Sequence, residues 1–554
     1  MEGTNKKQGL MKGAMILSMG VLASRIIGML YRIPIRNILG DDGNSLYGVA
    51  YTVYAMILTL TAIAIPGALS KLIAERKAAG AHREAQRVFH IALIYCLGGA
   101  LILALSMWFG AEWIERTFFP AQIGVYLPIR ALSPTVMIAT TLAVMRGYFQ
   151  GNEEMTPTAV SQVIEQIVNV IFSVLFASIL VKTSLIYGAT GSALGTGTGA
   201  IAGFIVLMFM YKKKRPMIKK EIAQSVEYTY ESTGTILKQI LGMMIPVIIS
   251  TSIFSIMTFI DQSMISKYLP NVIDTLKSQN AAGLVPVANA AAMETSQVVR
   301  ELSGQMSYQY GTFMNIPASL VMQLGLAAVP AIAAASAIGD TKEIRKKTKL
   351  ILKVGMLLAA PCAVGFMLYT KPIFLLLHGD TAGSEVLIQG AIGIFVIALA
   401  QLSAGILQGM TLQRIPTINA VIACGIKVVI NIIFLQLPAL NIFGFIHSTT
   451  ICYLIYAILN IYYLCKKLEM KLSWNKLLVR PAISAALMGA ISYPIYLGIT
   501  ALGLSAKYAI ILIIPVAAII YFLVGLVTKT ITKSDLMMLP GGTKIIRLLE
   551  NKNN

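Results

Sequence analysis

Charge is what this chain has least of. Only 12% of its 554 residues are Asp, Glu, Lys or Arg, about half the roughly 25% usual in a soluble protein. Hydrophobic residues make up 56%, and mean hydropathy is +0.74. A water-soluble globule of this length is excluded. The four histidines (His82, His90, His378, His447) show no clustering and no carboxylate at ligand spacing, so no metal centre is expected. The five cysteines (Cys96, Cys362, Cys424, Cys452, Cys465) sit in or at the ends of apolar runs without redox or metal-ligand spacing, and read as packing residues. A GxxxxGK[ST] phosphate loop is missing. So is an acidic motif of the kind a membrane glycosyltransferase needs, since Asp41-Asp42 stands alone. The chain is not expected to be an enzyme. No cleavable signal peptide is expected either, because Met1 to Lys12 is short and polar and the apolar run after it exceeds a typical signal core.

The apolar residues gather in runs of about 20, the length that crosses a hydrocarbon core of roughly 30 Å. Hydropathy and helix breakers predict an all-α, polytopic membrane protein of about fourteen spans. The first six cover 12–36, 46–70, 86–109, 124–146, 157–181 and 188–211. The next six cover 236–261, 304–336, 350–374, 385–409, 415–437 and 441–465, and a last pair covers 478–500 and 507–528. The organisation predicted is a first lobe over 1–211, a basic linker over 212–234, a second lobe over 235–465, and a C-terminal pair with its tail over 466–554. The 263–303 stretch, rich in Ala, Ser and Gln, fits helix extensions better than a free loop.

Basic residues alternate from loop to loop. Lys71, Arg76, Lys77, Arg83 and Arg87 follow span two; Lys212, Lys213, Lys214, Arg215, Lys219 and Lys220 follow span six. Lys342 to Lys349 and Lys466 to Arg480 repeat the pattern, while the intervening loops are poor in such residues. The positive-inside rule then predicts both termini in the cytoplasm of a cell-membrane protein. The net charge of +21 is accounted for by topology and by attraction to anionic membrane lipids, with no nucleic acid needed. Trp108, Trp113 and Trp474 fall near span ends, as interfacial anchors do.

A repeat runs through the lobes. Ile164-Glu165-Gln166-Ile167-Val168-Asn169-Val170-Ile171-Phe172 aligns without a gap with Ile426-Lys427-Val428-Val429-Ile430-Asn431-Ile432-Ile433-Phe434, 262 residues later. Gln150-Gly151 and Pro157-Thr158 precede the first, Gln408-Gly409 and Pro416-Thr417 the second. Ala64-Ile65-Pro66 and Ala328-Val329-Pro330 repeat at an offset of 264. Six spans per lobe is an even number, so the repeat is of the parallel type, with its axis along the membrane normal and a substrate path between the lobes.

A charge at mid-membrane costs about 2.5–3.5 kcal/mol on insertion scales and calls for a partner or a function. Arg25 and Arg32 lie two turns apart on the first span, with Gly28 on their face. Two guanidinium forks on one face suit a polyanion such as a pyrophosphate. Arg25, Arg32 and Gly28 are therefore the candidate headgroup-binding residues. Arg36, near the span's end, is expected to snorkel to headgroups. Glu165 and Asn169 on span five, Lys427 and Asn431 on span eleven, and Asp261 at the end of span seven are candidates for lining a cavity or for coupling. In the alternative reading these charges pair with one another, Arg25 or Lys427 with Glu165, and hold helices together. Asp261 fits either a cation site or a salt-bridge partner.

Arg146-Gly147-Tyr148-Phe149-Gln150-Gly151, followed by Pro157-Thr158-Ala159-Val160-Ser161-Gln162-Val163-Ile164-Glu165-Gln166-Ile167-Val168, resembles a family signature. It is the span 4–5 signature of the polysaccharide-exporter branch of the multidrug/oligosaccharidyl-lipid/polysaccharide superfamily. Ser24-Arg25-Ile26-Ile27-Gly28 and Asn315-Ile316-Pro317-Ala318-Ser319-Leu320 are similar to that branch too. Within it, the whole chain most resembles the Gram-positive MurJ-type lipid II flippases and the stage V sporulation protein B group. The resemblance implies a carrier that flips undecaprenyl-pyrophosphate bearing a disaccharide-pentapeptide to the outer leaflet by alternating access. It implies no cofactor, energy from the membrane potential or a monovalent cation, and cell-wall synthesis machinery as a partner. In that family, arginines on the first, second and eighth spans line the cavity. Arg25 matches the first; Tyr31 stands where a second would, with Arg32 beside it. The second span has no arginine, and Thr312 falls near the eighth-span position. The C-terminal pair resembles one that forms a groove for the lipid tail. Another undecaprenyl-linked sugar is the alternative substrate. A cation-coupled multidrug antiporter fits less well, because that branch usually has twelve spans and two arginines serve a cationic drug poorly.

Overall fold

The computed structural model describes residues 19–21, 23–227 and 231–532; at 323–331, 334 and 337 it describes the helical backbone. The polar N-terminal stretch, the first residues of span one, the side chains of Ala328-Val329-Pro330 and the tail beyond 532 lie outside the described residues. Among those described, every regular element is a helix, as a chain with no alternating apolar pattern requires. Helix α1 (residues 23–30) passes through Tyr31 into α2 (Arg32–Thr61), which is followed by α3 (Ile65–Ala78), α4 (His82–Phe118) and α5 (Tyr126–Gly151). Then come α6 (Thr156–Leu180), α7 (Leu185–Ala223), α8 (Thr233–Ser278) and the short α9 (Thr295–Gln305). A wide π turn at Met306–Tyr310 leads into α10 (Gly311–Ala337) and α11 (Thr341–Leu377). The chain ends with α12 (Ser384–Gly390), α13 (Gly393–Gly409), α14 (Arg414–Phe434), α15 (Phe443–Lys467), α16 (Arg480–Ala501) and α17 (Ala506–Val527).

Eleven of the described helices are long and apolar enough to cross a membrane, and twelve if α12 and α13, bent by 53°, make one span. The 60-residue run Met19–Ala78 counts once by length but holds two passes. The Tyr31 and Tyr47 hydroxyls lie 2.8 Å apart, although 16 residues of straight helix would separate them by about 24 Å. The chain therefore reverses at Gly40, whose φ of +66° and ψ of −175° lie in a region held almost entirely by glycine. With that reversal and with α10, helix is found within each of the fourteen expected spans among the described residues, the second of them broken between α2 and α3 and the tenth between α12 and α13. The 263–303 stretch is largely helix extension: α8 runs on to Ser278 and α9 occupies Thr295–Gln305.

Contacts divide the chain into two compact units. The first holds the residues up to Pro270 together with Glu294–Ser307; the second holds Asn271–Met293 and everything from Tyr308 onward. The division thus falls inside α8 and not at the 212–234 linker. Burial explains this. Ile236, Ile240 and Met244 of α8 pack among Leu69, Ile73, Val88 and Phe89 of the first unit. The first half of the linker is helical, since α7 continues to Ala223.

The first unit's core sets Ile35, Leu46, Val49 and Val53 of α2 against Phe119, Ile129, Leu132, Val136, Ala177 and Ala189. Helices α6 and α7 touch backbone to backbone. A Cβ on Gly195 would sit 2.2 Å from the Ser173 nitrogen, and one on Gly199 2.6 Å from the Glu165 carbonyl, so small residues allow the close approach usual between membrane helices. In the second unit, α16 and α17 pack on α11 through Ala360, Ala485, Met488 and Ala517, with Tyr369 and Ser492 hydroxyls 2.7 Å apart. The C-terminal pair is part of that unit's core.

Candidate functional site

The first pass presents its arginines in three different environments. Arg25 is exposed, and among the described residues it makes no hydrogen bond or ion pair. It lies 15 residues before the reversal at Gly40, or about 22 Å along the axis, well inside a span of roughly 30 Å. A guanidinium so placed needs water or an anion beside it, because facing lipid there is costly. Arg32 is partly buried; it donates to the Ser307 carbonyl at 3.3 Å and lies 6.0 Å from the Tyr51 ring centre. Arg36, expected to snorkel, is instead buried. It forks onto Asp41 at 3.0 and 3.3 Å, a staple across the Gly40 reversal. The reason is local: the chain turns back four residues later and brings a carboxylate within reach. Gly28 faces α6. A Cβ there would come within 2.9 Å of Gln166 Oε1, so α1 leans on α6 at this point.

Tyr47, Tyr51 and Tyr54 share one face of α2, with ring centres 6.0 and 5.8 Å apart along the series. The Tyr47 hydroxyl also bonds Thr196 on α7 at 3.1 Å. Their i, i+4, i+7 spacing was visible in the sequence. What hid their proximity to Arg32 was the reversal at Gly40.

Among the described residues of the first unit, Glu165 pairs with Arg146 and not with Arg25. Its Oε2 lies 2.6 Å from Arg146 Nη2, and Arg146 Nε donates to Ser161 Oγ at 3.2 Å. The short connection after Gly151 folds α6 back on α5 and sets the two side chains at one depth. Asn169 is buried and accepts from Ser173 Oγ at 2.8 Å. In the second unit, Asn431 is fully buried and accepts from Ser448 Oγ of α15. Lys427, 4% exposed, holds its ammonium 4.9 Å over the Phe445 ring. In each unit the repeat's asparagine is buried and accepts from a serine, Ser173 one turn on in α6 in the first and Ser448 of α15 in the second. Asp261 is also buried, at 4% exposure, and is engaged by neighbouring groups. No cluster of three or more His, Cys, Asp or Glu able to hold a metal occurs among the described residues.

A cleft opens in the second unit between α11 and α17. It holds about 180 Å³ and is lined by Val354, Leu357, Leu358, Ala518, Phe522 and Ile531, with Tyr521, whose hydroxyl donates to the Leu357 carbonyl at 3.0 Å. The expected groove between the last two helices has this apolar chemistry, but the cleft uses α11 as its other wall.

Residues 10–336 match the family model described as polysaccharide biosynthesis protein. Stage V sporulation protein B of Bacillus subtilis (strain 168) is 24% identical over 544 residues, which cover 96% of this chain and 98% of that protein. Lipid II flippase MurJ of the same organism is 23% identical over 462 residues, covering 80% of each. Among solved structures, lipid II flippase MurJ in an inward closed conformation matches with a TM-score of 0.67 at 16% identity, covering 94% of this chain and 100% of that one. An inward-facing multidrug resistance transporter of the MATE family, in the MOP superfamily, matches with a TM-score of 0.62 at 16% identity, covering 80% and 94%. The two structural likenesses establish the fold.

Proposed function

Because the chain belongs to the polysaccharide biosynthesis protein family, we propose that it is a flippase for an undecaprenyl-pyrophosphate-linked cell-wall precursor, lipid II, moved from inner to outer leaflet by alternating access. The observation that carries the reading is Arg25: exposed, deep within the first pass, and without a described partner. A guanidinium there offers fork-shaped donors to a pyrophosphate and keeps its charge at any physiological pH. Arg32, held by the Ser307 carbonyl and the Tyr51 ring, is the second donor of the site. The alternation of basic loops supports cytoplasmic termini in the cell membrane, hence entry of the headgroup from the cytoplasm. The membrane potential or a monovalent cation drives the cycle, and cell-wall synthesis enzymes act on either side of it. Likeness in length to the sporulation and lipid II relatives supports a glycolipid over a cationic drug.

Depletion of a bacterium's own lipid II flippase, with this gene as the only rescue, tests the proposal through lipid II exposed at the outer surface. Growth and exposure are expected with the wild type. Arg25→Ala is expected to abolish both while membrane insertion and abundance stay normal. Failure of the wild type to rescue, with export of another undecaprenyl-linked sugar intact, selects that other substrate. Normal transport by Arg25→Ala removes the site assignment.

A further inference from the structure

Five charged side chains crowd the place where α9 meets the reversal at Gly40. Arg36 forks onto Asp41, Arg300 of α9 forks onto Asp42, and Glu301 follows Arg300 directly. The helices meet without intervening side chains: a Cβ on Gly304 would fall 2.0 Å from the Asp41 carbonyl oxygen, so α9 is docked backbone against backbone. Each guanidinium forks onto an aspartate, while Glu301 stands beside both pairs and feels the charges of all four groups. The set carries three negative and two positive charges when all are ionised. Immediately past α9 comes the π turn Met306–Tyr310, an irregular stretch of helix, within which the chain passes from the first unit to the second.

We propose that Glu301 is a proton-binding residue that sets how firmly α9 docks on the α2 reversal, making this contact a proton-controlled latch. The groups acting on Glu301 are Asp41, Asp42 and Arg36 from the packed turn and Arg300 from its own helix. Burial first, then the charges of Asp41 and Asp42, push its carboxyl up to about 7 from an ordinary value of 4.5, against the opposing pull of Arg36 and Arg300. The sign follows. A carboxyl whose docked value is raised favours docking fully below its undocked value near 4.5, and loses that contribution as pH rises through about 7. The latch is tight when Glu301 is protonated and the cluster is neutral. It loosens when Glu301 ionises and one negative charge is left over. The proposal concerns the chain's own conformation and holds whatever substrate is carried.

Hydrogen–deuterium exchange of the full chain in lipid nanodiscs, at about pH 6 and about pH 8 on either side of the Glu301 value and corrected for intrinsic exchange, reads the latch directly. Amides of 295–305 in the wild type are expected to exchange several-fold faster at the higher pH, with buried segments of α6 and α7 unchanged. Glu301→Gln, neutral at all pH, is expected to keep slow exchange at both. Asp42→Asn, by removing a repelling charge, is expected to move the wild-type transition to lower pH. A wild type with no difference between the two pH values, or a Glu301→Gln chain that keeps the full pH response, overturns the proposal.

Discussion

Removing Arg146 tests the pairing of Glu165 most directly. In the folded chain the two side chains are 15% and 23% exposed and their charged atoms are 2.6 Å apart. At that separation and an effective dielectric of about 20, the gross attraction is about 6 kcal/mol, most of it offset by desolvation. Deleting one partner of a fully buried pair costs about 3–5 kcal/mol, and of an exposed pair about 0–1. The exposure here places the single substitutions Arg146→Gln and Glu165→Gln near 2 kcal/mol each, since each leaves a charge largely shielded from water. The double substitution leaves no orphan and is expected to cost less than the sum, with an interaction energy of about 1–3 kcal/mol. Denaturant unfolding of the purified chain in mixed micelles, run as a double-mutant cycle, measures it. Additive single effects, with an interaction energy under about 0.5 kcal/mol, would show that Glu165 is not stabilised by Arg146. Its assignment would then return to the cavity.

Three further outcomes concern glycines. Gly20→Ala puts a methyl 2.7 Å from Ala159 Cβ and 3.0 Å from its Cα, with nothing flexible to yield, and is expected to cost about 1–3 kcal/mol in the same unfolding assay. Gly28→Ala meets only the end of the Gln166 side chain, so it is expected to fall within about 0.5 kcal/mol of wild type; a large loss there would restore a special role to Gly28. Gly40→Ala forces a non-glycine residue into the φ +66°, ψ −175° conformation and is expected to cost about 1–3 kcal/mol, seen as reduced thermal stability with no new clash, because nothing lies within 4 Å of the added carbon. Stability equal to wild type would mean that the reversal has another backbone solution.

The positions of the helices were legible because a bilayer asks little of the chain beyond apolar length. An apolar run of about 20 residues has one way to satisfy its backbone, and the breakers between runs are evident. The reversal at Gly40 was less legible. Asp41-Asp42-Gly43-Asn44 reads as a polar loop, yet the helix resumes at once and uses the carboxylates as ligands for Arg36 and Arg300. Arg36 was misread for the same reason, since a side chain near a span end normally finds headgroups and only the folded turn supplies a nearer partner. The extent of each compact unit was illegible too. The basic composition of 212–234 signals a boundary, but the contacts follow the apolar face of α8, and that face is continuous through Ile236, Ile240 and Met244.

The charge inversion of the repeat is best understood through burial in each unit separately. Gly199 and Gly203 of α7 face Glu165 and leave it room, and Arg146, at the end of α5, fills the space with a compensating charge. At the matching place in the second unit, the serine-bound Asn431 is kept, while Lys427 lies over the face of Phe445. An aromatic face attracts a cation and repels a carboxylate, so a glutamate at 427 would meet the wrong end of a quadrupole. The asparagine is buried in both copies and accepts from a serine hydroxyl in each, from its own helix in the first and from α15 in the second. The position four residues before it answers to neighbours that differ between the copies, and its charge differs with them. Complementary charges at repeat-related positions thus follow from local surroundings: Arg146 beside Glu165 in the first unit, the Phe445 ring beside Lys427 in the second.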